Sequence, residues 1–110
     1  MKVLVDANVI MNYLTKREDK YSVASKQVMM MCINNVIEGY VAFHSLSIIW
    51  YSPRKDATEQ TRREWLELIG NILKVASANN ALVIEAARNK DFRDFEDNLQ
   101  DCCAVSVGAD

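Results

Sequence analysis

The run Val3-Leu4-Val5 stops abruptly on Asp6, and this junction constrains the fold more than any other stretch. Three apolar residues without alternation read as a short strand buried on both faces, as in the middle of a parallel sheet. Asp6 then stands at the strand's C-terminal end. In open α/β sheets ligands bind at that edge, and a carboxylate there can hold a metal ion or a cationic group. Asn8 precedes Val9, Ile10, Tyr13 and Leu14 at helical spacing, so it suits the N-cap of a following helix.

The order of the remaining segments fits an α/β architecture. Tyr21 to Glu38 carries Val23, Val28, Met29, Met31, Cys32 and Val36 at mainly helical spacing, with Ser22 as a cap and Gly39 as the stop. Tyr40 to His44 reads as a second strand, and the intervening chain is long enough for a right-handed crossover between parallel strands. From Ser45 a helix runs through Leu46, Ile49 and Trp50, with Ser45 or Ser47 as its cap and Pro53 as a break. Trp50 and Tyr51 could stack a base, but aromatics at helical spacing read first as packing residues. Glu59 to Gly70 is an amphipathic helix, with Trp65, Leu66, Leu68 and Ile69 on its apolar side and Arg62 and Arg63 opposite. Ile72 to Val75 follows as a third strand or, alternatively, a helical end. Asn79 and Asn80 open a short helix through Leu82 and Ile84 to Ala87. The acidic segment Asp91 to Asp101 leads into a last helix, whose apolar face is Leu99, Cys102, Cys103 and Val105.

A chain of 110 residues, half of them apolar and a quarter charged, makes one small folded domain spanning residues 1–110. No apolar run approaches a membrane-spanning length and the N-terminus reads as strand then helix, so the expected location is cytoplasmic. Three cysteines, two of them adjacent, read as reduced thiols in the core or an interface. The net charge of −2 excludes a uniformly basic nucleic-acid binder. Basic residues do cluster locally, as Lys16, Arg17 and Lys20 and as Arg54, Lys55, Arg62 and Arg63. Each cluster alone is first a solvated face.

Three carboxylates carry the candidate chemistry. Asp94 and Asp97 share one side of a helix, and with Asp6 they could hold a hard divalent cation, Mg2+ or Mn2+, through oxygen. The competing reading makes them first-turn acids that favour a helix dipole. His44 beside Ser45 and Ser47 lacks a nucleophile elbow and an acidic partner, and reads as a strand-end histidine bonded to backbone. Three glycines in the chain exclude a glycine-rich phosphate loop.

Val3-Leu4-Val5-Asp6-Ala7-Asn8-Val9-Ile10 resembles the opening motif of PIN domains. Asp94-Phe95-Glu96-Asp97 with Leu99-Gln100, followed by Ala104 and Gly108-Ala109-Asp110, resembles the late acidic motif of bacterial members, and the order of elements between them matches. Tyr51 with Arg54-Lys55 falls where such proteins carry a helix ending in tyrosine and lysine. The resemblance implies a three-layer α/β/α fold around a short parallel sheet. It further implies a metal-dependent endoribonuclease, commonly the toxin of a toxin-antitoxin pair, with Asp6, Asp94 and Asp97 as catalytic metal ligands for Mg2+ or Mn2+. RNA and an antitoxin protein are the implied partners. Asn8, Lys16, Arg17, Arg54 and Lys55 are the candidate RNA contacts.

Two departures bear on this reading. Ile48 stands where the family often has an acidic or amide residue, and an isoleucine cannot ligate a cation. Family members also continue past Gly-Ala-Asp with another strand beside the first, so the domain is expected to be C-terminally incomplete. Strand one would then be an open edge covered by another copy, a swapped segment or some displaced element, and a homo-oligomer is the expected state. The alternative function is a non-catalytic PIN-like module that binds RNA or an antitoxin. A receiver-like signalling domain is the weakest reading, since no adjacent acids follow the first strand.

Overall fold

The computed structural model describes residues 1–16, 20–90 and 94–110. The elements run β1 (Lys2–Leu4), α1 (Ala7–Thr15), α2 (Ser22–Ile33), β2 (Glu38–Ala42), α3 (Phe43–Tyr51), α4 (Glu59–Ile72), β3 (Lys74–Ala76), α5 (Asn80–Arg88) and α6 (Phe95–Val107). The three strands form a parallel sheet in the order β1-β2-β3. Val3 lies opposite Gly39 and Leu4 opposite Tyr40, while Ala42 lies opposite Ala76.

Because side chains alternate along a strand, this register sorts the sheet into two faces. Val3, Val5, Val41 and Leu73 meet Ile10, Met11, Leu14, Met29, Cys32, Ile49 and Ile69 from the first four helices. On the other face Leu4, Tyr40, Ala42 and Ala76 meet Cys103 and Val107 of α6. The result is a PIN-like α/β/α sandwich, as the sequence predicts. Helix α1 buries Ala7, Ile10, Met11 and Leu14, the spacing of a single helical stripe, and each large apolar side chain among them contributes roughly 1.5–3 kcal/mol of burial.

Several local expectations are corrected. Helix α1 begins at Ala7, and its N-cap is Asp6, not Asn8. The extended backbone at Asp6 turns its carboxylate onto the Asn8 N–H, which donates to Oδ2 at 3.0 Å. Helix α2 ends at Ile33, five residues short of Glu38, where Asn35 takes a left-handed conformation with φ 59°.

Gly39 therefore lies inside β2 and stops no helix. A Cβ at Gly39 would stand 2.5 Å from Cys32 Sγ and 2.6 Å from Leu73 Cδ2, so this position stays small to let α2 and Leu73 approach the central strand. Helix α3 begins at Phe43 behind Ala42, with no side-chain cap. His44 thus belongs to the helix, and its Nε2 is buried without a hydrogen-bond partner among the described residues. Arg62 is half-buried rather than opposite the apolar side, because its guanidinium folds over the Trp50 ring. All three cysteines are free and buried. Burial pushes their thiols up in pKa, and at Cys102 the nearby Asp101 and Glu85 charges add to the effect.

Strand β1 lies at a sheet edge. There the Asp110 N–H donates to the Lys2 carbonyl at 2.8 Å and the Lys2 N–H donates to Asp110 Oδ2 at 2.9 Å. Among the described residues no helix is long and apolar enough to cross a membrane.

Candidate metal and nucleic-acid site

Parallel strands end together, so the C-terminal edge of this sheet is a shared shelf. Asp6 stands on it, exposed, two residues beyond β1. Helix α6 reaches the same shelf from the opposite direction. Its last residue, Val107, accepts a hydrogen bond from Lys2 Nζ at the start of β1, while Cys103 packs against Ala42 at the end of β2. The helix therefore runs antiparallel to the strands, and its N-terminal turns face the edge that carries Asp6.

Asp94 and Asp97 occupy those turns, both exposed. Asp94 is the N-cap of α6, its Oδ1 accepting from the Glu96 N–H at 3.1 Å. Asp97 lies in the first turn, its own N–H donating to the Asp94 carbonyl. Both readings of these acids thus have a structural counterpart. They serve the helix start, where the macrodipole favours negative charge, and that start points at the shelf of Asp6.

The next residue, Asn98, is buried, a position no local pattern marks. Its Nδ2 donates to the Ala86 carbonyl at 2.8 Å and the Asn89 carbonyl at 3.1 Å. These bonds tie the start of α6 to the end of α5. The signal available was an amide between apolar-face positions, which is weak without the fold.

The donor chemistry suits a hard cation, because Asp6, Asp94 and Asp97 all offer carboxylate oxygen. Among the described residues, no group of three His, Cys, Asp or Glu side chains converges closely enough to hold an ion. The fold sets Asp6 just beyond the end of β1 and turns the N-terminal end of α6, with Asp94 and Asp97, toward the same edge.

Two of the candidate RNA contacts line one groove of about 630 Å3 beside this edge. Asn8 and Lys16 line it, with Ile48, Ser52, Pro53, Asp56, Thr58 and Trp65 among the other walls. Arg54 and Lys55 are exposed in the turn between Pro53 and Asp56. Arg17 lies outside the described residues. Ile48 presents an apolar side chain to this groove, so the position contributes no ligand atom.

A PIN domain family model matches residues 2–110. The chain belongs to the PIN-domain family. Comparison with curated proteins and with solved structures gave no match. PIN domains are in general nucleases that depend on a divalent metal and bind RNA. The C-terminal shelf of this PIN domain carries Asp6, with the groove lined by Asn8 and Lys16 beside it.

Proposed function

We propose that this PIN domain, taken as one domain over residues 1–110, is a cytoplasmic endoribonuclease that uses Mg2+ or Mn2+ and acts as the toxin of a toxin-antitoxin pair. The observation that supports the reading is that Asp6 follows β1 at the sheet edge toward which the acidic N-terminal turn of α6 is directed, in a chain of this family. Asp6, Asp94 and Asp97 would hold the ion. When bound, it supplies an activated water and offsets charge on the phosphoryl oxygens.

The chain's own residues do the rest. The Asn8 N–H restrains the Asp6 carboxylate through Oδ2, which limits the rotamers that must be frozen on ligation. Lys16 in the groove and Arg54 and Lys55 in the turn beside it engage the phosphates of flanking nucleotides, as cations do in nucleic-acid interfaces.

A second groove, of about 690 Å3 between α1, α2 and α4, supports the antitoxin reading. Val23, Met30, Trp65 and Leu68 give it apolar walls, and Lys16 and Lys26 flank it. That chemistry suits an acidic amphipathic helix. Exposed Val83, Ile84 and Val105 on the α5–α6 layer supply a surface for self-association.

The test is cleavage of single-stranded RNA with Mg2+ or Mn2+, comparing the native chain with Asp6→Asn, after isothermal titration with Mn2+. Loss of cleavage and of ion binding in the variant is the expected result. Cleavage that survives the substitution rejects the proposed ligand set. Ile48 in the groove wall favours a second reading, a PIN module that binds RNA or antitoxin without cutting. RNA binding with no cleavage under either ion would select it.

A further inference from the structure

The corner where α3 meets α4 carries an arrangement that metal-dependent cleavage does not require. Two neighbouring aromatic residues end α3, and each meets guanidinium groups. Trp50 is half-buried, with Arg62 Cζ 4.2 Å and Arg63 Cζ 5.4 Å from its ring centroid, and its carbonyl accepts from Arg62. Tyr51 differs. Its side chain is 62% exposed, and Arg54 Cζ lies over the ring at 5.1 Å. Arg54 is fixed there because its guanidinium donates to the Tyr51 carbonyl at 2.9 Å.

From residue 50 to 63 the corner holds Arg54, Lys55, Arg62 and Arg63 against Asp56 and Glu59, an excess of positive charge on a chain whose net charge is −2. An exposed ring beside clustered cations fits single-stranded nucleic acid, in which an unpaired base has a free face to stack and a phosphate follows it.

The placement also agrees with the groove. Ile48, which lines it, is three residues before Tyr51 and therefore on the same side of α3. Along the helix Tyr51 stands about 12 Å from Phe43, where α3 leaves the carboxylate edge. A strand lying in the groove reaches both within the four or more nucleotides that a single-strand site covers.

We infer that Tyr51, with Arg54 over its ring, is a base-stacking platform that selects single-stranded over duplex RNA. The inference rests on the RNA reading above but needs neither the metal nor cleavage. Its test is fluorescence anisotropy of a labelled single-stranded 12-mer RNA and of the same sequence as a duplex, without divalent ions, for the native chain, Tyr51→Ala and Tyr51→Phe. Tyr51→Ala should weaken single-strand binding at least five-fold and leave duplex binding within two-fold. Tyr51→Phe, which keeps the stacking face, should stay within two-fold for both.

Unchanged single-strand affinity in Tyr51→Ala overturns the platform, as does an equal loss for both RNAs or a native chain without single-strand preference. The two readings fail separately. Asp6-dependent cleavage with an indifferent Tyr51 leaves the nuclease standing alone, whereas a Tyr51-dependent single-strand preference without cleavage leaves only the platform.

Discussion

Replacing Asn98 tests how the acidic start of α6 is held. Its amide nitrogen faces two carbonyl oxygens, of Ala86 and Asn89, and a carbonyl can only accept, so no flipped amide serves the site. The side chain is 5% exposed. Asn98→Ala removes two hydrogen bonds worth about 1 kcal/mol each and opens a small void. The Ala86 carbonyl keeps a bond from the Asn89 N–H, which limits the loss. The expected cost is about 2 kcal/mol, or roughly 10 °C in Tm for a domain of this size.

Asn98→Asp is the sharper perturbation, because it puts a carboxylate against those same two carbonyls. An ionised buried group without a partner costs about 3–5 kcal/mol. Burial and the facing dipoles raise the introduced carboxyl's folded pKa above its unfolded value of about 3.9. Its penalty is therefore fully present above the folded value and is relieved as pH falls through it, when the protonated group can donate one bond. Urea unfolding between pH 4 and pH 8 reads this directly. The Asn98→Ala deficit should stay constant with pH, while the Asn98→Asp deficit shrinks toward acid. Equal deficits at every pH would refute the claim that this residue works by donating to two buried acceptors.

Three other expectations follow from the packing and the caps. Asp6→Asn should leave Tm within a few degrees of the native chain, since both residues cap helices well, whereas Asp6→Ala should cost about 1 kcal/mol; thermal melts separate the cap from any role in cleavage. Gly39→Ala should destabilise by about 1–3 kcal/mol through overpacking. Combined with Cys32→Ala it should cost at least 0.5 kcal/mol less than additivity, because Cys32 Sγ is one of the two atoms the new Cβ would strike, and strict additivity in chemical denaturation would contradict this.

At the opposite end of the sheet, hydrogen bonds from Lys74 and then Tyr40 hold Glu38 below its ordinary carboxylate value of 4.5, and Glu38 holds Lys74 above 10.5. The native advantage over Lys74→Met should therefore exist between these limits, vanish as pH falls through the lowered Glu38 value, and fade again above the raised Lys74 value. It should also shrink in high salt, and an advantage that persists in acid would exclude this pair as its source.

The parts of the fold that follow local periodicity were legible. Val3 to Val5 face two cores, and the α1 stripe matches a spacing visible in the letters. What misled were residues whose role is set by something distant in sequence. Gly39 looks like a helix stop because glycine usually is one, yet it is small on account of Cys32 and Leu73. His44 looks like the end of a strand, but the chain turns into α3 directly after Ala42. Arg62 looks solvent-facing until the Trp50 ring beneath it is known. The site divides in the same way. The aspartates were visible as a motif, whereas Asn98 and the exposure of Tyr51 beside a packed Trp50 needed the tertiary structure.

The aspartates also show how this edge tolerates its acids. Asp6 and Asp94 do the same local job, each capping a helix by accepting the N–H two residues on. An N-cap carboxylate sits at the positive end of a helix dipole, where negative charge is well placed. Two helix starts therefore give these carboxylates a local role, and they do so whether or not an ion is bound. The acids thus stay in place for structural reasons, and a divalent ion arriving at the shelf would meet side chains whose backbone geometry is already fixed. It follows that removing charge and removing the cap are separable at both positions. Substitution by asparagine keeps the helix starts intact while withdrawing a ligand oxygen's charge, so Asp6→Asn and Asp94→Asn together should fold as the native chain does and lose Mn2+ heat in titration. A double variant that retained that heat would place the ion elsewhere than on these two caps.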